Sequence, residues 1–109
     1  MKKWIAAVLV VFLVAGLSAG DAWAKDYEVE IVGLKYKPAK LKVKKGDKVI
    51  WINSDDRDHT VASKDDGKSF DSGKIGAGEK FEHTFAEAGK FAYGCEYHPR
   101  MKGEIEVTE

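Results

Sequence analysis

From Lys25 to Glu109, period-2 alternation of apolar side chains and turn residues recur, and no stretch holds a helical spacing over three turns. Tyr27, Val29 and Ile31 alternate with Glu28 and Glu30, and Leu41 and Val43 alternate with Lys40, Lys42 and Lys44. Phe81, His83 and Phe85 alternate with Glu82 and Thr84. Val49-Ile50-Trp51-Ile52 is a continuous apolar run, which predicts a strand buried on both faces. A short strand is expected from His59 to Ala62, and strands are also expected over Phe91–Tyr93 and Ile105–Val107. Turns fall at Lys45-Gly46-Asp47-Lys48 and Ala88-Gly89-Lys90, and residues 63–78 read as a long polar connection with a short strand near Phe70. Seven to eight short strands in so few residues predict an all-β Greek-key sandwich or barrel with antiparallel pairing. Such a domain has a small core, and a bound metal would restrain it further.

The first 24 residues follow a different rule. Met1-Lys2-Lys3-Trp4 is short and positive, Ile5 to Leu17 is apolar apart from small residues, and Ala22-Trp23-Ala24 offers the small residues a signal peptidase reads. Residues 1–24 are therefore expected to be a cleaved secretory signal peptide, and residues 25–109 a single domain in the periplasm. The competing reading keeps the apolar stretch as a membrane anchor, because Trp4 to Gly20 approaches the length of a span. Cleavage leaves no span, and the absence of Cys near the site excludes a lipid-anchored form. The 18 basic and 18 acidic residues of the whole chain fall to 16 and 17 once Lys2, Lys3 and Asp21 are removed. That near-neutral balance argues against nucleic acid as a partner. The one Cys excludes an internal disulfide, and in an oxidising compartment it must be buried, dimerised or bound.

That Cys begins the segment with the most chemistry. Cys95-Glu96-Tyr97-His98-Pro99-Arg100-Met101 places a thiolate, an imidazole and a thioether at C-x2-H-x2-M spacing, between two predicted strands. A compact loop can turn all three toward one point, and Pro99 fixes one of its backbone angles. Soft sulfur donors beside imidazole suit copper, whereas Met is a poor zinc ligand and a redox dithiol would need a second Cys. His59, which follows the polar loop Asn53–Asp58 out of the central strand, is the best candidate for a fourth ligand. Two His and a Cys with a weak axial Met form the blue-copper arrangement. Singly, each residue has a plainer reading: a buried Cys is often inert, and Met101 alone would be core filler. His83 is expected to be structural, flanked by Phe81 and Phe85 on its strand, and Trp51 and Asn53 read as core and loop-capping residues.

The chain resembles the small cupredoxins, the plastocyanin, pseudoazurin and amicyanin family. The likeness is carried by Tyr36-x-Pro38, Leu41-x-Val43, Gly46-Asp47-x-Val49-x-Trp51-x-Asn53 and His59-x-Val61. It continues through Phe70-Asp71-Ser72-Gly73, Gly78-Glu79, Thr84-Phe85, Ala88-Gly89-x-Phe91-x-Tyr93-x-Cys95 and His98-Pro99-x-Met101-x-Gly103. The short ligand loop is similar to that of amicyanin; plastocyanin and pseudoazurin have a longer His-to-Met interval. The resemblance implies one copper held by His59, Cys95, His98 and Met101, and one-electron transfer between proteins. It also implies that His98 lies at the surface end of the site, with its ring edge as the route for electrons. Three positions depart from the pattern. Thr60 stands where Asn commonly tethers the two ligand loops, Asp58 replaces a Pro before the first His, and Glu96-Tyr97 replaces the Thr-Pro of amicyanin.

The expected function is thus a periplasmic type 1 copper protein carrying single electrons between redox partners, met weakly and transiently, by a monomer. The alternative is a periplasmic copper carrier with no electron-transfer role. An enzyme would need further copper ligands, and His83 is the one His left over. Lys35 to Lys48 holds seven Lys and one Asp, while Asp55 to Asp71 holds six Asp and three basic residues. Such segregation would orient a nearly neutral protein on its partner.

Overall fold

The structure, a computed structural model, describes residues 24–109. The signal peptide expected over residues 1–24 lies, except for Ala24, outside the described residues. Among these residues there are eight strands: β1 (Asp26–Val32), β2 (Lys35–Lys37), β3 (Lys40–Lys44), β4 (Lys48–Asn53), β5 (Ala62–Ser63), β6 (Lys80–Thr84), β7 (Gly89–Gly94) and β8 (Lys102–Thr108). They form two four-stranded sheets, ordered β2-β1-β4-β6 and β3-β8-β7-β5. No helix among the described residues is long and apolar enough to cross a membrane.

The all-β sandwich of seven to eight strands matches the expectation, but the pairing is mixed rather than antiparallel. β1 runs parallel to β4, and β3 runs parallel to β8. The reason lies in how the chain changes sheets. After the β1–β2 hairpin it crosses to β3, returns to β4, crosses to β5 and returns to β6, before the β7–β8 hairpin closes the second sheet. Each crossing inserts a strand of the other sheet between sequential neighbours, which gives the chain length that parallel pairing needs.

Alternation places one face of every long strand between the sheets. Val29, Ile31, Val49, Trp51, Tyr93, Ile105 and Val107 are buried there. Trp51 lies at the centre, with its ring edge-on to Tyr93 at 5.4 Å and packed against Phe70 at 5.8 Å and Phe81 at 5.7 Å. The prediction that Val49–Ile52 is buried on both faces is corrected: Val49 and Trp51 are buried, but Ile50 and Ile52 are only partly covered. Each sheet has its second face toward solvent, so continuous apolarity did not mean a doubly covered strand.

The stretch after β4 also differs in detail. His59 makes an isolated bridge to Ile75 rather than starting a strand, and the strand proper is Ala62–Ser63. Phe70 belongs to no strand; its backbone pairs with Ser63 while its ring fills the core. The connection from Lys64 to Gly78 folds back along β5, and on this return leg Ile75 pairs with the His59 backbone.

Candidate metal centre

The site sits at the end of the sandwich where β4 and β7 finish. β4 delivers Asn53, fully buried, whose side-chain Nδ2 donates to the carbonyls of Arg57 at 2.7 Å and Ile75 at 2.9 Å. Its Oδ1 accepts the Asp55 N–H at 2.9 Å. The loop from Ser54 to Asp58 is therefore wound around one amide side chain, as expected of a loop-capping residue, and it ends by placing His59 in the interior. His59 is 0% exposed.

β7 delivers Cys95, also buried. Gly94, just before it, is where the two ends of the ligand loop meet: a Cβ there would lie 2.9 Å from the Met101 carbonyl. The loop closes through the Met101 N–H donating to the His98 carbonyl at 2.9 Å. Met101 is buried at the end of this turn, in the same core cluster as Cys95. His98 is half-buried, and Tyr97 beside it is 49% exposed.

One ligand atom each from His59, Cys95 and His98 lies within 4.8 Å of the others. Cys95 Sγ is 3.8 Å from His59 Nδ1 and 3.5 Å from His98 Nδ1. A metal bound at lengths of 2.0–2.3 Å would separate sulfur and nitrogen donors by about 3.6–3.8 Å, so the cage is of the right size. Thiolate with two imidazoles is a donor set that suits copper. Of the predicted residues the structure brings together His59, Cys95 and His98, with Met101 buried at the foot of the same loop. His83 stands apart as expected. It lies opposite Val49 on β4, against Phe70 at 5.1 Å and Phe85 at 4.7 Å, and burial pushes its pKa down.

The two ligand loops are joined at Thr60. Its N–H donates to Cys95 Sγ at 3.4 Å. Where the family commonly has an Asn tether, Thr60 supplies another form of it: its hydroxyl accepts the Glu96 N–H at 2.8 Å. A β-hydroxyl is shorter than a carboxamide, and the close approach of the two loops lets it reach. Sequence reasoning missed the support behind this residue. The Tyr36 hydroxyl donates to the Thr60 carbonyl at 2.7 Å, inside the protein. Burial, with Cys95 and Tyr93 adding to it, raises the Tyr36 pKa and keeps the phenol a donor. It also missed Asp55, whose carboxylate is 2.8 Å from His59 Nε2. The available signal was spacing, an acid four residues before a candidate ligand, but it was one of three acids in that loop.

Comparison with known proteins agrees with this geometry. The model of the copper binding proteins of the plastocyanin/azurin family matches residues 24–108. An amicyanin of Paracoccus denitrificans is 34% identical over 89 residues, a match covering 72% of this chain. The chain spans 63% of that relative's length. Among solved structures, a purple cupredoxin from Nitrosopumilus maritimus superposes with a TM-score of 0.69 at 29% identity, covering 75% of this chain and 99% of that one. A Cu-containing nitrite reductase from Thermus scotoductus SA-01 gives 0.72 at 29% identity, but the match covers 89% of this chain and only 25% of the reductase.

Proposed function

We propose that this chain, which belongs to the plastocyanin/azurin family of copper-binding proteins, carries single electrons between redox proteins through one type 1 copper. The ligands are His59, Cys95, His98 and Met101. The observation that carries this reading is the convergence of one buried thiol and two imidazole Nδ1 atoms at the loop-covered end of a sandwich. Bound copper supplies a one-electron couple. The protein fixes the donors in advance: Asn53 winds the His59 loop, Thr60 ties it to the Cys95 loop, and the sheets hold both. Ligands that need little rearrangement when charge changes are what rapid electron transfer requires, and the N–H donated to Cys95 Sγ tunes the couple. His98, half-buried at the mouth, is the route by which electrons enter and leave.

The same reading makes the protein a carrier rather than an enzyme. After His59 and His98, the remaining imidazole is His83, which packs between Phe70 and Phe85 and offers no second metal position among the described residues. It works as a periplasmic monomer, released by cleavage before Lys25, and meets its partners weakly and transiently. The leader pattern of residues 1–24 supports the location.

The test is to add Cu(II) to the purified protein and record its visible spectrum. The expected result is an intense thiolate-to-copper band in the native chain that Cys95→Ser abolishes, because the transition belongs to the sulfur. A native protein without that band would end the electron-carrier reading. A band that does not cycle with reductant and oxidant would leave a copper carrier instead.

A further inference from the structure

We propose that Asp55 is a positioning residue for the metal centre: its carboxylate sets the tautomer of His59 and makes that ring a stronger donor to oxidised than to reduced copper. The inference rests on the ligand set proposed above. Three donors converge on this carboxylate. Oδ1 accepts the Gly33 N–H at 2.7 Å, while Oδ2 accepts the Leu34 N–H at 3.1 Å and faces His59 Nε2 at 2.8 Å. An ionised carboxylate can only accept, so Nε2 must carry the proton. Nδ1 is then the lone pair, and it is the atom that faces Cys95 Sγ. With the ring 0% exposed, water offers no other partner to choose the tautomer. Asp55 chooses it.

The carboxylate is kept ionised and in place by the two loops it joins. Gly33 and Leu34 have φ values of 64° and 61°, so successive N–H groups converge on one acceptor in the manner of a backbone anion nest. Leu34 is the strained member, since a non-glycine residue with this backbone is uncommon. From the other side, Asn53 holds the Asp55 N–H. The acid is thus fixed before any metal arrives.

A carboxylate behind a ligand imidazole raises its basicity, and losing such a partner typically costs about 10–100-fold in metal affinity. The added charge counts more against Cu(II) than against Cu(I). In Asp55→Asn the Cu(II) affinity should therefore fall within that range while the Cu(I) affinity falls less, and the reduction potential should rise. Competition titrations for both oxidation states read this directly. In the copper-free protein, nitrogen NMR should find His59 protonated at Nε2 in the native chain and a mixture of tautomers in the variant. Because Asp55 also caps the Gly33–Leu34 turn, the substitution is repeated with Leu34→Gly, which relieves the left-handed strain and keeps that turn without its cap. Equal loss of Cu(II) and Cu(I) affinity in the double variant, or an unchanged tautomer, would overturn the proposal. The tautomer measurement needs no copper, so a native chain that lacked the thiolate band would sink the ligand reading and still leave Asp55 tested.

Discussion

The two histidines of the site are held in opposite ways. His59 is inside the protein, with its outer nitrogen on Asp55, its loop wound on Asn53, and its neighbour Thr60 bonded to Cys95, Glu96 and Tyr36. His98 is half-buried, belongs to a seven-residue loop from Cys95 to Met101, and is positioned by that loop's closing turn. One side of the centre is a built wall, and the other is a door. The division suits the proposed electron carrier, in which the wall would limit rearrangement while the door would bring the His98 edge within reach of another protein.

The largest effect that could break this contrast comes from removing each ring. His59→Gly should cost about 2–5 kcal/mol of stability, in the range of large-to-small core substitutions, and added imidazole should fail to restore copper binding because the vacated space is closed to solvent. His98→Gly should keep a folded protein whose thiolate band returns with added imidazole. Calorimetry and visible spectra report both, and rescue at position 59 as readily as at 98 would erase the distinction.

A smaller effect tests whether the wall reaches across to the door. Thr60→Val removes the acceptor of the Glu96 N–H while keeping shape and the N–H to Cys95 Sγ. A loss of about 1 kcal/mol in chemical denaturation is expected, the usual worth of one such hydrogen bond. Thr60→Asn, which restores an acceptor, should recover most of it. If Thr60→Val is as stable as the native chain, the two loops are independent.

The smallest effect concerns the third histidine. Burial lowers the His83 pKa below its ordinary 6.5, so the unfolded chain binds a proton more readily than the folded one. Stability from this group is complete above the unfolded value and is lost as pH falls through about 6.5 toward the lower folded value. The thermal midpoint of the copper-free protein should therefore fall between pH about 7 and about 5, and His83→Phe should flatten that slope. A slope unchanged by the substitution would assign the pH dependence elsewhere.

Much of this molecule was written in local pattern. Period-2 alternation identified the sandwich because a strand in a two-layer fold must show opposite faces to core and solvent, and that demand leaves a mark at every second residue. Cys95, His98 and Met101 were legible because one short loop carries them, so spacing alone fixed their proximity. His59 was less so; it needed the argument that a donor set was incomplete, together with a family resemblance. Parallel pairing of β1 with β4 could not be read, since alternation is the same whichever way a neighbour runs. The partial exposure of Ile50 and Ile52 depends likewise on what lies over the sheet. Thr60, Tyr36 and Asp55 were decided by tertiary structure alone. Their hydrogen bonds join segments 21 to 36 residues apart, except for the local bonds of Asp55 to Asn53 and to His59; in the latter pair four residues separate an acid from a ring that only the folded loop turns toward it. A hydrogen bond between distant segments leaves no periodic trace in sequence, because its geometry is set by the packing of the sheets that bring the two ends together.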